Sequence, residues 1–175
     1  VEAYTCLGKN PLSDMHALKA IELISSNILK AVKNPRDAKS RLALANGSAL
    51  AGAAFSNSMV GMVHNLGHAA GAVCHIPHAV CMSILLPYGL EYNFHKIEKN
   101  LAELLFPLAG PEIYAKTKRS ERAELAINCI RDLNEKLHQA TGGRHPRFFK
   151  EVMNSNGRPM MTRDSISEVA HSAMS

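Results

Sequence analysis

Four of the nine histidines of this 175-residue chain, His64, His68, His75 and His78, fall within a fifteen-residue window. The segment reads Gly61-Met-Val-His64-Asn-Leu-Gly-His68-Ala-Ala-Gly71-Ala-Val-Cys-His75-Ile-Pro77-His78. On a helix, residues four apart share a face, with Cβ atoms roughly 5–6 Å apart, so His64 and His68 point into one cavity. His78 follows Pro77 and opens the next helix, which brings it toward the same place from a second direction. Imidazole suits zinc, copper, iron and nickel. A single histidine on an apolar helix is more often a hydrogen-bonded core residue, and that reading stays open here. Four in one window favour metal binding or catalysis. His75 is the weakest member: its ring faces solvent or caps a turn. Asn65 follows His64, which excludes the His-Glu-x-x-His zinc-protease pattern. No carboxylate occurs between Gly61 and His78, although sites for hard or borderline divalent metals usually include one. It has to come from elsewhere in the fold or from outside this chain.

The elements that position these residues read as helices. Ser13 is expected to cap a helix whose first turn holds Asp14. Leu18, Ile21, Ile24, Ile28 and Val32 then form one apolar stripe, and Asn34-Pro35 ends it. A second helix is expected over 37–57, with the small residues Ala45, Ala49, Gly52, Ala53 and Ser56 turned inward, which makes it a central element. A Gly- and His-rich segment over 59–74 follows. Then comes a buried helix over 79–92, with Pro87 as a kink or end, and a short helix over 96–105 with Ile97, Leu101, Leu104 and Leu105 inward. Gly110-Pro111 reads as a loop. Ser120, Glu121 and Glu124 start a helix carrying Leu125, Ile127, Ile130, Leu133 and Leu137, stopped by Gly142-Gly143. A short helix over 147–153, a turn-rich loop over 154–159 and a last helix capped by Thr162, with Ile166, Val169, Ala170 and Ala173 inward, complete the chain. No segment sustains two-residue alternation. The fold class is therefore all-α, a single domain over 1–175 with six to eight helices.

Composition narrows the function classes. Hydrophobic residues are 46% and charged residues 20%, with 11 Gly and 8 Pro, as in a folded globule. The longest apolar runs, such as 79–87, are too short and too interrupted to span a membrane. The net charge is +5, with basic residues at Lys116, Lys118, Arg119, Arg122, Arg144 and Arg147. Trp is absent and no aromatic interleaves the first basic cluster, so a solvated helix face is the better reading and no nucleic-acid partner is expected. No secretory leader is recognisable. Cys6, Cys74, Cys81 and Cys129 form no Cys-x-x-Cys pair, consistent with reduced thiols in a cytoplasmic protein.

The run Gly61-x2-His64-x3-His68-x2-Gly71-x4-Ile76-Pro77-His78-Ala79, with Leu85-Leu86-Pro87 and Tyr92-Asn93 downstream, resembles the second signature region of the iron-containing (group III) alcohol dehydrogenases. The resemblance covers most of the chain and is weakest from Gly110 onward; Ala70 stands where the family more commonly has a larger aliphatic residue. It implies the multi-helix C-terminal domain of the dehydroquinate synthase-like fold, preceded in the family by an α/β nucleotide-binding domain. It implies that His64 and His78 are metal ligands for iron(II), or zinc, and that His68 lies beside the nicotinamide of NAD or NADP and the substrate. The family completes its metal site with an Asp-x3-His motif. Val1-Glu2-Ala3-Tyr4 matches the family's residues just downstream of that motif, which would put the missing histidine two positions before Val1. The chain is accordingly expected to be the helical domain alone, short also at its other end. It is expected to be inert by itself, with a metal site empty or partly occupied and the dinucleotide bound mainly by the absent domain. The intact enzyme would be a homo-oligomer acting on a small-molecule alcohol or aldehyde. A non-catalytic packing or dimerisation module with structural histidines, and a polyol dehydrogenase of the same fold, are the alternatives.

Overall fold

Side-chain caps set the starts of the two longest helices of this chain. The structure, a computed structural model, describes residues 1–174. Nine α-helices form among them: α1 (Glu2–Thr5), α2 (Pro11–Lys33), α3 (Ala38–Ser58), α4 (Met62–Cys74), α5 (His78–Tyr92), α6 (Phe94–Ala109), α7 (Pro111–Lys116), α8 (Arg122–Ala140) and α9 (Arg163–Met174). Single 3-10 turns lie at Arg119–Glu121 and Phe149–Glu151. No strand forms among the described residues; an isolated bridge joins Met153 and Pro159. The chain is all-α, with more helices than the six to eight expected because the short α1 and α7 leave no periodic signal.

The cap of α2 is Asn10, not Ser13. The Asn10 side chain accepts from the amides of Leu12 and Ser13, each at 3.1 Å, and the Ser13 hydroxyl accepts from the Asn10 amide at 3.0 Å. This is a reciprocal capping box, and Pro11 fits the first helical position because its missing N–H is one of the unpaired donors there anyway. Asp37 caps α3 through the amides of Lys39 and Ser40.

Two cores organise the helices. The larger joins α2, α6 and α8 through Ile21, Leu101, Leu104, Leu105, Ala126, Ile127 and Ile130, with Leu90 of α5 beside them. The smaller joins α4, α5 and α9 through Ala69, Ala70, Cys74, Cys81, Ile84 and Val169, with Ile76 and Val152 from the connections. All four cysteines are free. No described helix is long and apolar enough to cross a membrane.

Several expectations about faces and ends are corrected. In α3, Ala45, Ala49 and Ser56 are exposed and Gly52 and Ala53 only half-buried; Ser40, Gly47, Ala54 and Ser58 are the buried positions. The helix is a peripheral one that packs chiefly on α2. A Cβ at Gly47 would stand 2.8 Å from Ile24 Cγ1, so the glycine is what lets α2 approach. Helix α5 continues through Pro87 instead of ending there. Proline withholds the N–H that would bond the carbonyl four residues back, and that carbonyl, Ser83 O, accepts from Asn134 Nδ2 of α8 at 3.0 Å instead. Pro107 likewise lies inside α6, and Pro111 starts α7 after a single linking residue, Gly110, at φ 88°. The helix expected over 147–153 is only the 3-10 turn Phe149–Glu151. In α9, Val169 is buried and Ala173 packs against the core, while Ile166 and Ala170 are exposed.

Candidate functional site

Helix α4 starts at Met62 with no cap from its own flank, because the preceding residue, Gly61, has no side chain. Its first amides are taken from sixty residues upstream. Glu2 of α1, 8% exposed, accepts from the Val63 amide at 2.9 Å through Oε1 and from the His64 amide at 3.2 Å through Oε2. A carboxylate at the positive end of a helix is also favoured by the helix dipole. The same Oε2 is hydrogen-bonded to Nδ1 of the His64 ring. Glycine at 61 permits this approach: a Cβ there would come within 2.8 Å of Glu2 Oε1.

His64 and His68 lie one turn apart on α4, and His78 is the first residue of α5. Their rings form a triangle, with centroid separations of 5.9 Å for His64–His68, 5.5 Å for His64–His78 and 5.1 Å for His68–His78. The α4–α5 connection makes this possible. His75 ends α4 in the left-handed conformation, at φ 56° and ψ 28°, and Pro77 then starts the next helix at once. His75 is exposed and takes no part in the ring contacts that join the other three. The triangle is more open than the shared cavity expected from the sequence: His64 is half-buried, while His68 and His78 are exposed. The partial desolvation its ring does suffer, reinforced by the neighbouring rings of His64 and His68, pushes the His78 imidazole below its ordinary pKa. On the inner side, a cavity of about 420 Å³ with mainly apolar walls, Ile21, Ile24, Leu86 and Leu133 among them, reaches Glu2 and His64.

Among the described residues, no three His, Cys, Asp or Glu side chains converge closely enough to hold a metal ion as a set. Two imidazoles from different helices, facing each other at 5.5 Å between centroids, nonetheless suit a borderline divalent ion as part of a larger shell. Glu2 is the residue of this cluster that sequence reasoning missed. It lies far outside the histidine window, and a buried acid on a four-residue helix carries no local spacing signal. Gly61 directly before α4 was the available hint, since a helix start with no side chain needs a cap from elsewhere.

The family model for the C-terminal region of the Fe-containing alcohol dehydrogenases matches residues 1–147. The chain belongs to the iron-containing alcohol dehydrogenase family. It is 41% identical over 154 residues to alcohol dehydrogenase 4 of Saccharomyces cerevisiae, covering 87% of this chain and 37% of that protein. It is 32% identical over 154 residues to the NADPH-dependent butanol dehydrogenase of Clostridium saccharobutylicum, covering 86% and 38%. Among solved structures, a 1,3-propanediol oxidoreductase superposes with a TM-score of 0.85 at 26% identity, over 99% of this chain and 41% of that one. An alcohol dehydrogenase from Oenococcus oeni superposes with a TM-score of 0.82 at 28% identity, over 99% and 41%. The chain thus spans about two fifths of the length of these relatives. The all-α fold is that of the C-terminal domain of the iron-containing family.

Proposed function

We propose that this chain is the helical domain of a metal-dependent, NAD(P)-linked alcohol dehydrogenase, which interconverts an alcohol and an aldehyde or ketone by hydride transfer. The domain supplies metal ligands and part of the substrate pocket. The observation that carries the reading is the meeting of His64 and His78, fourteen residues apart in sequence, with ring centroids 5.5 Å apart, in a chain of this family.

His64 and His78 would hold iron(II), or zinc, together with ligands from outside the chain. A bound ion of this kind supplies Lewis-acid polarisation of the alcohol oxygen, and a nicotinamide cofactor supplies the hydride acceptor. The residues of this chain do the remainder. His64 and His78 approach from two helices packed together through the α4–α5 core, which supports a pair of rings held near one another without an ion. Partial desolvation and the two neighbouring rings both disfavour the charged form of His78, which favours its service as a ligand. His68 is exposed and 5.1 Å from the His78 ring. In this reading it relays the hydroxyl proton or orients the nicotinamide end of the cofactor.

The test is a split between metal content and turnover, in the enzyme that pairs this chain with its nucleotide-binding domain. His64→Ala and His78→Ala lose metal and turnover together; His68→Ala loses turnover and keeps its metal. Retention of full metal by His64→Ala and His78→Ala would show the histidines to be structural, and loss of metal from His68→Ala would remove the role given to that residue.

A further inference from the structure

Three nitrogens converge on one buried carboxylate. Glu2 accepts the Val63 amide on Oε1 and the His64 amide on Oε2, and Oε2 is also hydrogen-bonded to His64 Nδ1. The two amides account for Glu2 as the cap of α4. The ring contact is not needed for capping. Accepting a backbone amide on each oxygen suits the ionised carboxylate, and an ionised carboxylate can only accept, which makes Nδ1 the donor of the ring contact. A neutral imidazole with its proton on Nδ1 has a bare lone pair on Nε2, the nitrogen turned away from Glu2 across the ring.

We propose that Glu2 is the positioning residue of the metal site: its carboxylate holds His64 as the Nδ1–H tautomer and presents Nε2 to the ion. The inference rests on the reading of His64 as a ligand. Ligating histidines commonly donate their other ring N–H to a carboxylate, which fixes the ring and raises its basicity. Here the same oxygen also grips the backbone amide of the residue whose ring it orients. Ring and helix start are therefore locked to one another, and Gly61 is the residue that leaves room for it.

Long-range ¹H–¹⁵N spectra of the histidine rings, recorded on the 175-residue chain at pH 8 before metal is added, test this. In the wild-type chain His64 carries its proton on Nδ1. In Glu2→Ala the population moves toward Nε2–H, the form that free imidazole side chains prefer, and zinc affinity at His64 falls about 10–100-fold. A cap with no role at the ring would lower helix content and melting temperature and leave the tautomer unmoved. The proposal is overturned by a wild-type His64 protonated on Nε2, or by a folded Glu2→Ala chain with unchanged tautomer and zinc response. Should Glu2→Ala fail to fold, the wild-type tautomer decides alone. Because the tautomer is read without metal, a His64 in the Nδ1–H form that ignores added zinc refutes the ligand reading and leaves the Glu2–His64 lock intact.

Discussion

Two glycine-to-alanine substitutions in helices are predicted to move stability in opposite directions. Gly89 lies in α5 against Val63 of α4, and a Cβ at 89 would fall inside the contact radius of Val63 Cγ2. Val63 is 3% exposed and β-branched, so in a helix one χ1 rotamer dominates and the methyl cannot swing away. The helices must then separate, and overpacking of this kind costs about 3 kcal/mol at the upper end of its usual range. Alanine returns about 1 kcal/mol of helix propensity, leaving a net loss of about 2 kcal/mol. At about 2–4 °C per kcal/mol for a chain of this size, Gly89→Ala melts about 4–8 °C below the wild type. Gly52 is the control. It sits inside α3 with no atom within 4 Å of its would-be Cβ, so Gly52→Ala keeps the gain of up to about 1 kcal/mol and melts about 2–4 °C higher. Circular dichroism melts of the two variants are sufficient. A Gly89→Ala chain as stable as the wild type would refute the claim that α4 and α5 are closely packed at Val63 and Gly89. That claim matters because α4 carries His64 and α5 carries His78.

Leu104 is fully buried where α6 meets α8 and α2, and Leu104→Ala is expected to cost about 2–5 kcal/mol, read as a shift in denaturant midpoint; a loss under about 1 kcal/mol would contradict the assigned core. Glu151 is pushed down to about 2, chiefly by its hydrogen bonds from Arg147, which also pairs with Glu135. A carboxylate with its folded pKa lowered contributes stability that is fully present above its ordinary value near 4.5 and fades as pH falls toward 2. Arg147→Met should therefore flatten the dependence of melting temperature on pH between about 2 and 4.5, and a curve parallel to wild type through that window would show the pair contributes nothing.

The stripes of α2, α6 and α8 were legible because each mixes large apolar residues on one side with charge on the other. Leu101, Leu104 and Leu105 are as buried as their spacing requires. Helix α3 was legible as a helix but its buried face was not, because small residues occur on several sides and no sequence stripe marks the face that Ile24 approaches. At Pro87 the sequence left a kink or an end open; the helix does not end there, since a side chain on α8 satisfies the carbonyl that proline leaves bare, and such compensation is a tertiary fact. At the site, His64, His68 and His78 were legible from helical periodicity plus a proline-set helix start, and the structure brings their rings within 5.9 Å of one another. Glu2 was not, because its link to the cluster spans sixty-two residues and passes through a glycine.

Zinc titration of the 175-residue chain, followed by the ring nitrogens of its histidines, addresses the central claim most directly. His64 and His78 are predicted to respond together, on Nε2 for His64, and to saturate only weakly, since no described set of three side chains can hold an ion. Rings at 64 and 78 that stay unmoved while zinc binds elsewhere, or a tight one-to-one complex of submicromolar affinity, would contradict it.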